Sequence, residues 1–153
     1  MSYAIKIKVK ELMTPKDKLV TVKPSITILE AAKILIEKNI GSVLVVEDDK
    51  LAGIFTERDV VRIVANEVSP NERLEKVITR NLITINEEDY LSKASLLMRE
   101  KNIRHLPVVN KEGKVIGIIS ARDLAVYFYT ISERILKSIE NYFKKQANTE
   151  RET

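Results

Sequence analysis

Apolar and polar positions along the chain fall into two series of the same kind. The first opens with a short apolar run, Leu19 to Val22, that predicts a strand. Ile28, Ala31, Ala32, Leu35 and Ile36 then recur at i, i+3, i+4, i+7 and i+8, the stripe of a helix packed on one face. A continuous apolar run, Val43 to Val46, suits a strand covered on both sides, and the polar stretch Glu47 to Lys50 predicts a turn into a further strand. A second helix is expected after Asp59 through Val60, Val61 and Val64. The other series repeats this order with Leu82 to Ile85, then Leu91, Ala94, Leu97 and Met98, then Leu106 to Val109. A turn carrying Gly113, a further strand and a helix through Leu124, Val126 and Tyr127 complete it.

The two series are one sequence written twice. Thr84 stands 63 positions after Thr21, and at that offset Ala31, Glu37, Lys38, Asn39, Ile40, Val45 and Val46 meet identical residues from Ala94 to Val109. One added residue in the second turn moves the offset to 64, and "GIFTERD" (Gly53 to Asp59) then superposes on "GIISARD" (Gly117 to Asp123). The expected fold class is therefore α/β, two βαββα repeats at residues 8–68 and 72–130, joined by a surface connection around Pro70. A unit of this size buries its faces poorly alone, so the two copies are expected to share one core. At the N-terminus "IKIKVK" alternates apolar residues with lysine, as an edge strand or extended arm does. Residues 131–153 read as a terminal helix with Ile131, Ile135, Ile139, Tyr142 and Phe143 on one stripe, fraying into a polar tail from Gln146.

Composition narrows the function. With 44% hydrophobic and 31% charged residues the chain has material for a packed interior. No cysteine is present and one histidine is, which leaves neither disulfides nor the usual metal-ligand sets. The absence of a leader or a long apolar run gives a cytoplasmic, non-membrane expectation. No nucleophile is paired with a histidine, no P-loop occurs, and four glycines form no dinucleotide fingerprint, so no catalytic residue and no catalytic cofactor are assigned. The net charge of +4 is spread over 26 basic and 22 acidic residues, which permits a nucleic-acid partner without requiring one.

The repeated heptapeptide has a purely structural explanation. In "TERD" and "SARD" a hydroxyl precedes a carboxylate by three positions at a helix start, a capping box with Asp in place of Glu or Gln. Capping alone requires neither Asp twice nor the arginine before it. A helix N-terminus beside a hydroxyl, a carboxylate and a guanidinium also suits a molecule bearing a sugar diol and a phosphate.

The stretches "LMTPKDKLVTVKPSITILEAAKILIEKNIGSVLVV" with "GIFTERDVV", and "VITRNLITI" through "KNIRHLPVV" to "GIISARDLA", resemble a tandem pair of CBS (cystathionine β-synthase) domains, the regulatory Bateman module. The resemblance covers about residues 8 to 130. It implies pseudo-twofold symmetry, two clefts between the repeats, dimerisation, no catalysis, and a ligand among AMP, ADP, ATP and S-adenosylmethionine. Carried over residue by residue, it implies one cleft in which Thr56 and Asp59 hold a ribose, Arg58 reaches phosphate, Thr79 and Ile83 border adenine, and Arg104 and His105 face phosphate. In the other, Ser120 and Asp123 hold ribose with Arg122 near phosphate, Thr14 and Val20 border the base, and Gly41 and Ser42 stand where the first has its cationic pair. A charged nucleotide is therefore expected in the first cleft. A lone histidine is otherwise more often a structural residue, and the terminal stripe is more often core or dimer packing than a partner site.

The leading expectation is a stand-alone, homodimeric ligand sensor acting on an effector protein that the sequence does not name. Two alternatives are a nucleic-acid-binding protein, suggested by the basic balance and the "IKIKVK" and "FKKQ" segments, and a structural dimeric adaptor indifferent to small ligands. Few aromatic residues are available for base stacking.

Overall fold

A computed structural model describes residues 6–151. Lys8 is extended and bridges antiparallel to Tyr90. From there the chain forms α1 (Val9–Leu12), β1 (Thr14–Pro15), β2 (Thr21–Val22), α2 (Ile28–Lys38), β3 (Ser42–Glu47), β4 (Lys50–Thr56) and α3 (Glu57–Ala65). A 3-10 turn, Leu74–Lys76, leads to β5 (Ile85–Asn86), α4 (Leu91–Lys101), β6 (His105–Val109), β7 (Val115–Ser120) and α5 (Ala121–Arg151). The order βαββα thus occurs twice, as the sequence predicts. One sheet runs β2-β3-β4 and the other β1-β7-β6-β5, with β2 parallel to β3, β5 parallel to β6, and both hairpins antiparallel.

Local chemistry explains the shared boundaries. Thr27 and Glu30 cap α2 reciprocally, the Thr27 N–H donating to the carboxylate at 2.7 Å and the Glu30 N–H to the hydroxyl at 3.1 Å. Asn39 and Asn102, identical in the two repeats, both sit in the left-handed region at φ 51° and end α2 and α4. The next amides, of Ile40 and Ile103, each donate to a carbonyl five residues back at 3.0 Å, which closes the helix and drops an isoleucine onto the core. In the first hairpin Asp48 and Asp49 have φ of 50° and 59°, the two-residue turn whose twist matches its strands, while the longer second turn places Gly113 at φ 77°.

The expectation of one shared core is not met: each repeat encloses its own. Val22, Ile28, Ala31, Leu35, Val43, Val45, Phe55 and Ile63 form one, and Ile85, Leu91, Ala94, Met98, Leu106, Val108, Ile119 and Leu124 the other. What joins the repeats is an exchange of leading segments. Val9, fully buried, belongs to the second core with Leu12 and Met13 against it, whereas Leu74 and Ile78, which lead into the second repeat, belong to the first core. Backbone pairing follows the same rule, Thr14 opposite Ile118 on β7 and Thr79 opposite Ile54 on β4. Burying a side chain such as Val9 or Leu74 contributes about 1.5–3 kcal/mol, so the exchange holds the repeats together by packing as well as by covalent linkage.

Other expectations need correcting. The lysine alternation persists as extended backbone only to Lys8, because the Val9 amide donates to the Asp89 carbonyl at 2.8 Å and starts α1; Ile5 lies outside the described residues. Lys8 and Lys10 both pair with Glu88, and the hydrogen bonds from Lys10 and then Lys8 hold its carboxyl at about 2. Ile36 is 82% exposed, so the buried stripe of α2 ends at Leu35, and in α3 Ile63 is buried while Val61 and Val64 face outward. The two helices expected after Asp123 are one, α5, which passes unbroken through Gln146. Beyond the second core its Ile135, Leu136, Ile139, Tyr142 and Phe143 are exposed.

Candidate functional site

Two concavities are each walled by both repeats. The first has a volume of about 750 Å³ and gathers Thr56, Arg58 and Asp59 from the β4–α3 junction, Thr79 and Ile83 from the approach to β5, and Arg104 and His105 from the start of β6. The second, about 290 Å³, gathers Ser120, Arg122 and Asp123 from the β7–α5 junction, Thr14 and Val20 from the approach to β2, and Gly41 and Ser42 from the start of β3. All the residues singled out in the sequence lie on one or other of these walls. Among residues that were not, the polar side chains of Glu57, Arg62 and Asn81 also line the first cleft and those of Lys18 and Asn39 the second. Only their position in space marks them.

The two junctions are built alike. Strand β4 ends at Thr56 and α3 starts at once, its first amide, of Glu57, donating to the Gly41 carbonyl at 3.1 Å; the Ala121 amide donates to the Arg104 carbonyl at 2.8 Å. In the first, the Asp59 carboxylate accepts from the Thr56 N–H at 2.8 Å and from the Thr56 hydroxyl at 3.2 Å, and its other oxygen pairs with Arg62. Asp59 is 3% exposed, the only buried charged side chain among the described residues. In the second, the Asp123 carboxylate accepts from the Ser120 N–H at 2.8 Å, and the Asp123 N–H donates to the Ser120 hydroxyl at 3.1 Å. The capping box inferred from the sequence is therefore formed.

Arg58 is anchored across the repeats: its Nη1 donates to the Asn102 carbonyl at 2.6 Å, at the end of α4. A guanidinium has further N–H donors, so one bond to a carbonyl fixes its position over the cleft without exhausting it. His105 borders both concavities. Burial holds its imidazole below the ordinary histidine range, opposed by the carboxylates of Glu57 and Asp123 and reinforced by Arg104 and Arg58, so the ring is neutral near pH 7.

The chemistry offered is recognition. A carboxylate with a hydroxyl beside it, a ring of arginines and an apolar wall of Ile54, Ile83 and Ile103 suit a polar, anionic ligand with a flat apolar part. Among the described residues no three His, Cys, Asp or Glu side chains cluster as metal ligands, and no helix is long and apolar enough to cross a membrane.

Comparison with known proteins agrees with this architecture. Residues 9–66 and 74–129 each match the CBS domain family. An uncharacterised 17.7 kDa protein of Acidianus ambivalens is 38% identical over 119 residues, spanning 77% of this chain and 71% of that one. The structure of the CBS domain pair of protein MJ0100, in complex with 5′-methylthioadenosine and S-adenosyl-L-methionine, superposes with a TM-score of 0.72 at 32% identity and covers 81% of this chain and 97% of that one. The CBS domain protein PAE2072 of Pyrobaculum aerophilum, complexed with AMP, superposes with a TM-score of 0.69 at 31% identity, covering 77% and 90%. Relatives that carry enzyme names are longer, and the chain spans only 21–22% of them. By its repeats, its topology and these matches, the chain belongs to the CBS domain family as a tandem pair.

Proposed function

We propose that the protein is a non-catalytic sensor of an adenosine-containing ligand, AMP, ADP, ATP or S-adenosylmethionine, held in the first cleft. The observation that carries this is the meeting, in a concavity of about 750 Å³, of a buried carboxylate, a hydroxyl and three arginines supplied by both repeats. In this reading Thr56 and Asp59 hold the ribose, Thr79 and Ile83 flank the adenine, and Arg58, Arg104 and His105 face phosphate. The second cleft offers the weaker set, Ser120, Asp123 and Arg122 with Thr14, Val20, Gly41 and Ser42. A ligand that touches both repeats stabilises their closed arrangement by mass action, and a change in that arrangement is the signal passed to an effector protein. Solved CBS pairs that hold AMP, or 5′-methylthioadenosine with S-adenosylmethionine, support the ligand class.

A homodimer belongs to the same reading, supported by exposed apolar residues on two helices: Val61 and Val64 on α3, Val126 and Tyr129 on α5. Isothermal titration with the four ligands tests the proposal. Micromolar binding to at least one is expected, and heats indistinguishable from dilution for all four would refute it.

A further inference from the structure

His105 is the residue that lines both clefts, and its neighbour across the repeats is Gly41. A Cβ built on Gly41 would stand 3.0 Å from His105 Nε2 and 3.4 Å from Cε1, so the ring occupies the space that a side chain at position 41 would need. By the repeat alignment Gly41 is the counterpart of Arg104, and Ser42 that of His105. The difference between the clefts is thus more than a matter of charge. The missing side chain at 41 admits the imidazole of the other repeat, and that imidazole stands in the wall of the second cleft as well as the first.

The consequence is one of volume. At about 290 Å³ the second cleft has less than half the room of the first, about 750 Å³. Polar groups suited to a nucleotide are nevertheless present in the second: Ser120 and Asp123 at the helix start, with Arg122 and Lys18 as cations. Its recognition groups outnumber the room they are given.

We infer that His105 sets the number of ligands the chain holds, by filling the second cleft through the gap at Gly41 and leaving there a latent nucleotide site. This rests on the adenosine-binding reading above and deepens it. Removing the imidazole, with His105→Ser placing the residue found at the equivalent position 42, opens the second cleft; its new occupant is a nucleoside monophosphate contacting Asp123. Filling the gap from the other side, with Gly41→Ala, pushes the ring toward the first cleft instead. Gly41 has no left-handed φ to lose, so the effect of that alanine is steric.

The experiment counts AMP bound to the full chain by native mass spectrometry and titration calorimetry. Wild type is expected to bind one AMP per chain, weakened by Asp59→Ala and not by Asp123→Ala; His105→Ser, which also takes a phosphate-facing group from the first cleft, is expected to gain an AMP site that Asp123→Ala abolishes and Asp59→Ala spares. Gly41→Ala is expected to keep one AMP and to weaken it several-fold. Because the chain has a single histidine, its imidazole NMR signals follow the ring directly and should shift in Gly41→Ala without ligand. No Asp123-dependent AMP site in folded His105→Ser while wild type binds one, or two equal sites in wild type, overturns the inference and leaves the adenosine reading standing. No AMP bound by any of the proteins, together with no response to ADP, ATP or S-adenosylmethionine, removes both.

Discussion

Gly53→Ala tests why the repeated motif begins with glycine. A Cβ at position 53 would stand 2.8 Å from Ile78 Cδ1 and 2.8 Å from the Thr79 carbonyl oxygen. The isoleucine can turn aside, but the carbonyl belongs to the exchanged segment and can retreat only with its backbone. That backbone is held by two hydrogen bonds, Ile54 N–H to the Thr79 carbonyl at 3.2 Å and Thr79 N–H to the Ile54 carbonyl at 3.3 Å. Losing both costs about 1 kcal/mol each, and overpacking a close contact costs about 1–3 kcal/mol, so the total is about 3–5 kcal/mol. In a chain of this length that lowers the melting temperature by roughly 6–20 °C. Amide hydrogen exchange should place the loosened region at residues 74–79. Gly117→Ala should do the same to the N-terminal segment, since its Cβ would stand 2.6 Å from Met13 Sδ and 2.7 Å from the Thr14 carbonyl. Both variants within about 0.5 kcal/mol of wild type in denaturant titration would show that the close approach of the exchanged segments is not what demands glycine.

Further outcomes follow from the two clefts and the outer helices. Asp59→Ala is expected to weaken AMP on the order of 10- to 100-fold, the worth of charge-assisted bonds to a ribose diol, and Asp123→Ala less than about 3-fold; equal losses in calorimetry would refute the inequality of the clefts. The His105 pKa is lowered in the folded chain, so between that value and about 6.5 the unfolded chain binds more protons. Stability is therefore expected to fall as pH drops through that window and to be independent of this group above it; the melting temperature of His105→Ser should lack this component of the slope, and identical profiles would contradict it. Bound phosphate should favour the imidazolium, so AMP should stabilise wild type more at pH 6 than at pH 8 in thermal shift. Val61→Glu, placing a charge on the exposed face of α3, should convert a dimer to monomer in light scattering without altering the circular dichroism, and an unchanged mass would move the interface elsewhere.

Much of the fold was legible because it is written twice. Asn39 and Asn102 gain meaning by recurring: one asparagine after a helix is weak punctuation, but two at matching positions mark a shared left-handed cap. The capping pairs Thr56 with Asp59 and Ser120 with Asp123 were likewise readable, since they are local in the chain. What escaped was non-local. Leu74 and Val9 read as apolar residues near their own repeats, and nothing in their spacing says that each completes the other's core. The anchoring of Arg58 on the Asn102 carbonyl spans 44 positions, and the fit of His105 against Gly41 depends on an absent side chain in the other repeat. Periodicity also could not tell which apolar residues of α3 face inward, because the helix carries Val61 and Val64 on its exposed face as well as Ile63 on its buried one.

The swap of leading segments bears on how such a chain can be divided. A cut in the connection near Pro70 would yield an N-terminal fragment carrying Val9 without its pocket and lacking the Leu74 that closes its own interior, and a C-terminal fragment with the opposite deficit. Neither piece is a domain in the sense of a self-sufficient interior, yet each holds the missing part of the other. Mixed together they are complementary halves, and a nicked chain should remain one particle. The trade of ends thus ties the two repeats to a common fate in folding.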